Sequence, residues 1–306
     1  MDALERDLLL KIADLHGVPE GAYNLRENGK SAGRRSTENI VISPRTDGKS
    51  GIDIFIKPNT KNESVHIPVI ISEAGYGETV YNDFYVGEGS DVLIIAGCGI
   101  HSCGKASSRH DGVHTFHVEK NAKVKYVERH YGEGEKDAKR VMNPETVAFL
   151  ADGASMEMET TQIKGVDDTH RVTRAVLGEK ANITVREKIY TNGAQRASTD
   201  FSVELNGKDS GADVISRSVA AEQSKQSFRS AINGNAACHG HTECDAIIMD
   251  EACVTATPCL SANDVNAELI HEAAIGKIAG EQLIKLMTLG LSEKEAEEQI
   301  IKGFLH

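Results

Sequence analysis

At 306 residues, 40% hydrophobic and 26% charged, the chain has the balance of a globular protein with at least one sizeable core. A net charge of −12 argues against nucleic acid or an anionic membrane surface as the main partner. No apolar run approaches the roughly 20 residues of a membrane span.

The first element predicted is an amphipathic helix from Asp2 to Leu15. It carries Leu4, Leu8, Leu9 and Ile12 among acidic and basic residues and is stopped by Gly17-Val18-Pro19-Glu20-Gly21. That pattern is not a secretory signal, so the six cysteines read as reduced thiols of a cytoplasmic protein. Residues 1–36 form an N-terminal helix and a polar, basic linker. Residues 37–262 read as the β core: short alternating runs rich in Val, Ile and Thr, such as Ile52 to Ile56 and Val92 to Ile95.

A small residue between two β-runs recurs at Ala122, Ala154, Ala181, Ala212 and Ala252. This spacing fits the coil of a β-solenoid, with a β-sandwich as the alternative. After Asn263 the period turns helical. Residues 263–306 read as a C-terminal helical segment, with Leu283, Ile284, Leu286 and Met287 on one stripe. Ser292 to Glu295 forms a capping box that opens a last helix through Phe304.

Four of the six cysteines, Cys238, Cys244, Cys253 and Cys259, fall within 22 residues, and His271-Glu272 follows. Thiolates, an imidazole and a carboxylate at a structural transition suggest a soft-metal or sulfur site, although the spacings match neither a zinc ribbon nor a ferredoxin. Cys244 and Glu272 are about one coil apart, which could stack them at one corner to hold iron. If the segment is a strand, His271 and Glu272 point to opposite faces. Cys98, flanked by glycines near Cys103 at a strand end, is expected to be exposed enough to react. His110, His114 and His117 read as solvated or sheet-face histidines, since His114 and His117 must point opposite ways on a strand. No Walker A motif is present, so ATP hydrolysis is not expected of this chain, and no nucleophile elbow appears.

Three segments carry a resemblance. Gln226 to Ile232, Thr242-Glu243-Cys244-Asp245-Ala246-Ile247-Ile248 and Glu268-Leu269-Ile270-His271-Glu272-Ala273 are similar to the core of the SufB/SufD family. Ala96-Gly97-Cys98 and Ala122 to Tyr126 resemble an upstream stretch of SufB. These proteins are scaffold subunits of the SUF iron–sulfur cluster assembly machinery. The resemblance implies a right-handed parallel β-helix flanked by short N-terminal and C-terminal helical segments. It also implies a homodimer through the β-helix, and C-terminal helices that dock a SufC-like ABC ATPase, with two scaffold and two ATPase subunits. By the same resemblance Cys244 is the assembly cysteine, Glu272 its carboxylate partner and His271 the adjacent histidine. Cys98 would receive sulfur and pass it along the β-helix interior. The cargo would be a transient iron–sulfur cluster, 4Fe–4S rather than 2Fe–2S, handed to apoproteins.

The chain departs from the family in being shorter than a typical SufB. It also has Val-Thr-Ala-Thr-Pro after Cys253, where a His-containing motif is usual, and extra thiols at Cys103, Cys238 and Cys259. It therefore resembles a minimal form of the system. Two other readings come from the residues alone. One is a β-helix enzyme acting on carbohydrate, weakened by 5% aromatics and no Trp. The other is a structural zinc protein using Cys238, Cys244, Cys253 and Cys259.

Overall fold

The computed structural model of the chain describes residues 3–102, 104–135 and 137–305, except for the side chain of Lys164. Cys103 lies outside the described residues. Two ten-stranded sheets enclose one elongated core. From Gly51–Ile56 onward, successive strands fall alternately in one sheet and the other, and each pairs in parallel with its counterpart one coil on. One strand is broken into Arg140–Met142 and Glu145–Leu150. The result is a β-solenoid of about eight turns, the architecture expected from the repeats.

Alternation within each strand sends every second side chain inward. Along Arg196–Leu205 these are Ala197, Thr199, Phe201, Val203 and Leu205. Equivalent inward residues stack along the axis, as Phe84 does on Phe116 with ring centroids 4.5 Å apart. The turns explain the small-residue repeat. At Asn59, Gly89, Asn121, Gly153, Lys180 and Asp209 the backbone has positive φ. The next residue, Thr60, Ser90, Ala122, Ala154, Ala181 or Ser210, is buried under the turn and donates its N–H three residues back. Two members of the predicted repeat are therefore displaced. In its turn the buried residue is Ser210, not Ala212, and Ala252 belongs to the turns at the opposite edge of the coil.

Helix α1 (Ala3–Ala13) lies on the outer face of one sheet, where Leu8, Leu9, Ile12 and Ala13 pack with Leu25 and Ile70. The two glycines beside Cys98 make room for it. A Cβ on Gly97 would stand 2.6 Å from the Ile12 carbonyl oxygen, and one on Gly99 3.3 Å from Leu8 Cβ. Lys11 Nζ bonds Glu133 at 2.9 Å, and Arg129 pairs with Asp14, which fastens the helix.

Two predicted boundaries move. The stretch 22–36 is not a linker: Ala22–Glu27 and Lys30–Arg35 form an antiparallel hairpin, and the first of these strands pairs in parallel with Lys61–Ile71. Its polar residues hid the alternation because they are partnered, as Arg26 is by Glu78 at 2.7 Å. The helical segment begins later than 263, because Glu268–Gly276 is a strand. Its helix-forming Glu, Leu and Ala residues are overridden by a full ladder to His239–Ile248. Helix α2 (Gly280–Thr288) then buries no residue, while α3 (Glu293–Leu305) buries Ala296 and Leu305. The capping box forms as expected, with Ser292 N–H donating to Glu295 Oε2 at 2.8 Å and Glu295 N–H to Ser292 Oγ at 3.3 Å. At the C-terminal end of the solenoid, Cys253–Ala262 and Glu268–Gly276 are the outermost strands of their sheets.

Candidate functional site

The last coils place the sequence-predicted residues on two faces of one sheet. Cys244 lies on His239–Ile248 with its side chain inward, 1% exposed. Burial, reinforced by Glu187, pushes its thiol up to about 12. Its ladder neighbours are Ser216 on one side and Ala273 on the other. Glu272 therefore falls one position short of Cys244 and pairs with Glu243. It points outward, with 67% of its side chain exposed. The expected stacking of Cys244 and Glu272 at one corner does not occur within the chain. His271 has the parity of Cys244: it stands opposite the inward Thr242, half-buried, and its buried Nδ1 lacks a hydrogen-bond partner. Interior access thus belongs to His271, and the outer face to Glu272.

On that outer face Glu272 meets residues that sequence reasoning missed. His241 Nε2 lies 3.3 Å from Glu272 Oε2, and His241 Nδ1 lies 2.8 Å from Asp213 Oδ1. Glu243 is beside them on the same face. The signal available in the sequence was the period of two in His239-Gly240-His241-Thr242-Glu243, read one coil before Glu272.

Cys98 occupies the other end of the interior. The expectation that it is exposed fails: it is 2% exposed, and burial pushes its thiol well above the ordinary range. Its flanking glycines serve α1 on the outside while the thiol turns in. Beside it is a cavity of about 20 Å³, lined by His110, His114, Glu128 and His130 among others. That volume suits about one water molecule. Of the two expectations for these histidines, solvated or sheet-face, His110 and His114 are not solvated but lie on the buried face of their sheet, while His117 faces outward, stacked between Tyr85 and Phe149.

A buried polar row connects the two cysteine neighbourhoods. In ladder register along one sheet run Glu128, Thr160, Glu187, Ser216 and Cys244. Arg171 from the facing sheet pairs with Glu128 and lies 3.5 Å from Glu187. Glu187 accepts hydrogen bonds from Thr199 at 2.8 Å and Ser216 at 2.9 Å. Burial alone would raise the Glu128 carboxyl, but Arg171 and His130 hold it well below the usual carboxylate range. Hydropathy could not reveal this row, since its residues alternate like any strand with one polar face.

The other thiols diverge. Cys238 is buried, while Cys253 and Cys259 are exposed on the edge strand. Among the described residues, Cys238, Cys244, Cys253 and Cys259 do not converge, and the group that could hold a metal ion is His241, Glu243 and Glu272. The terminal helices leave Ile284 63% and Leu289 75% exposed. A groove of about 480 Å³ runs between α3, at Ile301 and Leu305, and the sheet at Ile163 and Tyr190.

Fold and site together define a β-solenoid with a thiol inside its last coils, ligand-type side chains outside them and helices beyond. The SufBD core domain of SUF-system FeS cluster assembly matches residues 72–304. An iron–sulfur cluster assembly SufBD family protein of Methanocaldococcus jannaschii is 28% identical over 272 residues, 88% of this chain and 85% of that protein. One from Archaeoglobus fulgidus is 31% identical over 277 residues, 89% of this chain and 72% of that protein. One from Pyrococcus horikoshii is 30% identical over 263 residues, 83% and 77% of the two chains. The chain belongs to the SufBD family, whose setting is iron–sulfur cluster assembly.

Proposed function

We propose that the chain is a scaffold on which an iron–sulfur cluster is built at Cys244 and then passed to apoproteins, with ATP hydrolysis supplied by a SufC-like partner. The observation that carries this reading is the position of Cys244: a thiol next to the outermost strand of an open solenoid end, in a chain of the SufBD family. In the described conformation that thiol is buried, and burial disfavours its thiolate, so we read the geometry as a closed resting state. Metal binding needs the thiolate, and therefore needs the last coil to open.

The open end supports a homodimer. Two edge strands, together with Leu260, Ile270 and Ile275, are left facing solvent. Unpaired edges of this kind are satisfied by pairing with a second copy. If the Glu268–Gly276 strands of two protomers joined, three strand spacings of ~4.8 Å would separate the Cys244 positions, roughly 14 Å. A cluster shared by both thiolates then requires movement of the terminal strands. The exposed apolar side of α2 and the groove under α3 support docking of the ATPase, whose closure would drive that movement. That His271 shares the inward parity of Cys244 and has an unpartnered Nδ1 supports a role for it beside the thiol. Sulfur entry at Cys98 would have to pass a filled interior, so transfer along it calls for side-chain rearrangement around Arg171. A 4Fe–4S cargo and a cytoplasmic setting complete the reading.

The test is cluster delivery. Scaffold loaded anaerobically with iron and sulfide should convert an apo-ferredoxin to holo-protein faster when the ATPase and ATP are present. A loaded scaffold that never delivers its cluster would contradict the assignment.

A further inference from the structure

His241 is held between carboxylates on its two sides. Nδ1 lies 2.8 Å from Asp213 Oδ1, and Nε2 lies 3.3 Å from Glu272 Oε2. Glu243 stands on the same strand and the same face, two residues on. One ligand atom from each of His241, Glu243 and Glu272 lies within 4.8 Å of the others. In the tautomer that donates Nδ1–H to Asp213, Nε2 is left as a ligand atom on the side of Glu272 and Glu243. A carboxylate fixing one imidazole nitrogen while the other faces further donors is the arrangement of a metal-ligating histidine. Glu243 and Glu272 are also direct partners in the ladder. Like charges directly opposite one another on neighbouring strands are destabilising, and the nearest fixed positive charge, Arg217, reaches only Glu243, at 3.8 Å and partly exposed.

We propose that His241, Glu243 and Glu272 form a divalent-cation site on the outer face of the last two coils, separate from Cys244, with Asp213 orienting the imidazole. One imidazole and two carboxylates suit a borderline first-row ion such as Fe²⁺ or Mn²⁺, whereas a thiolate suits softer, sulfide-bearing species. The side chains of Glu243 and Cys244 leave adjacent residues on opposite faces, so the sheet itself divides the two sites. Glu272 then acts from outside, as a ligand of incoming metal instead of a partner of the thiol. Naming Fe²⁺ as the physiological occupant rests on the scaffold reading; the site itself does not.

Anaerobic titration of the metal-free full chain with Mn²⁺, read by the EPR signal of free Mn²⁺, tests the proposal. Wild type and Cys244→Ser should each bind one Mn²⁺ per chain with equal affinity. His241→Ala and Glu243→Gln should each weaken binding by about 10-fold or more. Asp213→Asn, which removes no ligand, should weaken it by about 10-fold. Unchanged Mn²⁺ affinity in His241→Ala, or loss of binding in Cys244→Ser, overturns the assignment. Wild-type protein that assembles a cluster yet binds no Mn²⁺ overturns this site and leaves the scaffold reading intact. Protein that binds Mn²⁺ as expected but assembles no cluster does the reverse.

Discussion

Glu272 and Cys244 lie on adjacent strands but on opposite faces of the sheet, because Glu272 is in register with Glu243 and Ala273 with Cys244. Their separation of 28 residues is one coil less one position. That single residue of phase puts the carboxylate in solvent and the thiol in the core. The sheet therefore separates an inner thiol from an outer group of ligand-type side chains around His241.

The same burial sets thiol reactivity. In a Cys103→Ser background, an aromatic disulfide reagent should titrate Cys253 and Cys259 quickly. Cys98, Cys238 and Cys244 should react only on unfolding, since the thiolate is the reactive form and burial suppresses it. Rapid native labelling of Cys98 would show that the interior opens without a partner.

Arg171 joins Glu128 and Glu187 inside the solenoid. Arg171→Met leaves two buried carboxylates without their cation and should cost about 3–5 kcal/mol in urea unfolding. Adding Glu128→Gln and Glu187→Gln should restore most of that loss. A single mutant with wild-type stability would mean that water reaches these carboxylates.

Acid should weaken the fold through the buried histidines. Burial pushes the His114 imidazole down to about 4 from an ordinary 6.5, and burial likewise lowers His130. Between these values the unfolded chain binds a proton that the folded chain does not, so stability falls as the pH drops from about 6.5 to about 4. His114 alone should account for ~3 kcal/mol over that interval. Urea midpoints measured across this range should flatten in His114→Leu, and a slope unchanged by that substitution would place the titration elsewhere.

The C-terminal helices should be separable from the solenoid. Deleting 292–306 should abolish co-purification with the ABC ATPase, and Ile284→Ser with Leu289→Ser should weaken it at least 10-fold. Circular dichroism should keep its β signal in both. Complex formation that survives both changes would move the docking surface off these helices.

Much of this architecture was legible in the sequence. Strand alternation and the Ser292–Glu295 cap are local features with short periods, and they read correctly; the small-residue repeat did so at Ala122, Ala154 and Ala181 but not at Ala212 or Ala252. The stretch at 22–27 did not, because Asn24 and Arg26 are buried residues whose polarity is matched by partners, Arg34 across the hairpin and Glu78 far along the chain. Glu268–Gly276 did not either, since ladder bonding outweighs helix propensity. At the site, Cys244 and His271 were legible as chemistry, but the face each residue occupies depends on register between coils. Coil length varies, so spacing alone cannot give that phase. The glycines around Cys98 signalled exposure when read locally; they are instead the seat of α1, a contact more than 80 residues away in sequence.

The central claim is that the cluster is built on Cys244. Wild type, Cys244→Ser and Glu272→Ala should be loaded anaerobically with ferrous iron and sulfide and compared by visible absorbance and Mössbauer spectra. The account predicts an iron–sulfur chromophore in wild type and none in Cys244→Ser at unchanged secondary structure. In Glu272→Ala the same chromophore should form, because the inner thiol is intact, but more slowly, because a ligand of incoming metal is lost. Equal cluster content in wild type and Cys244→Ser would contradict the account.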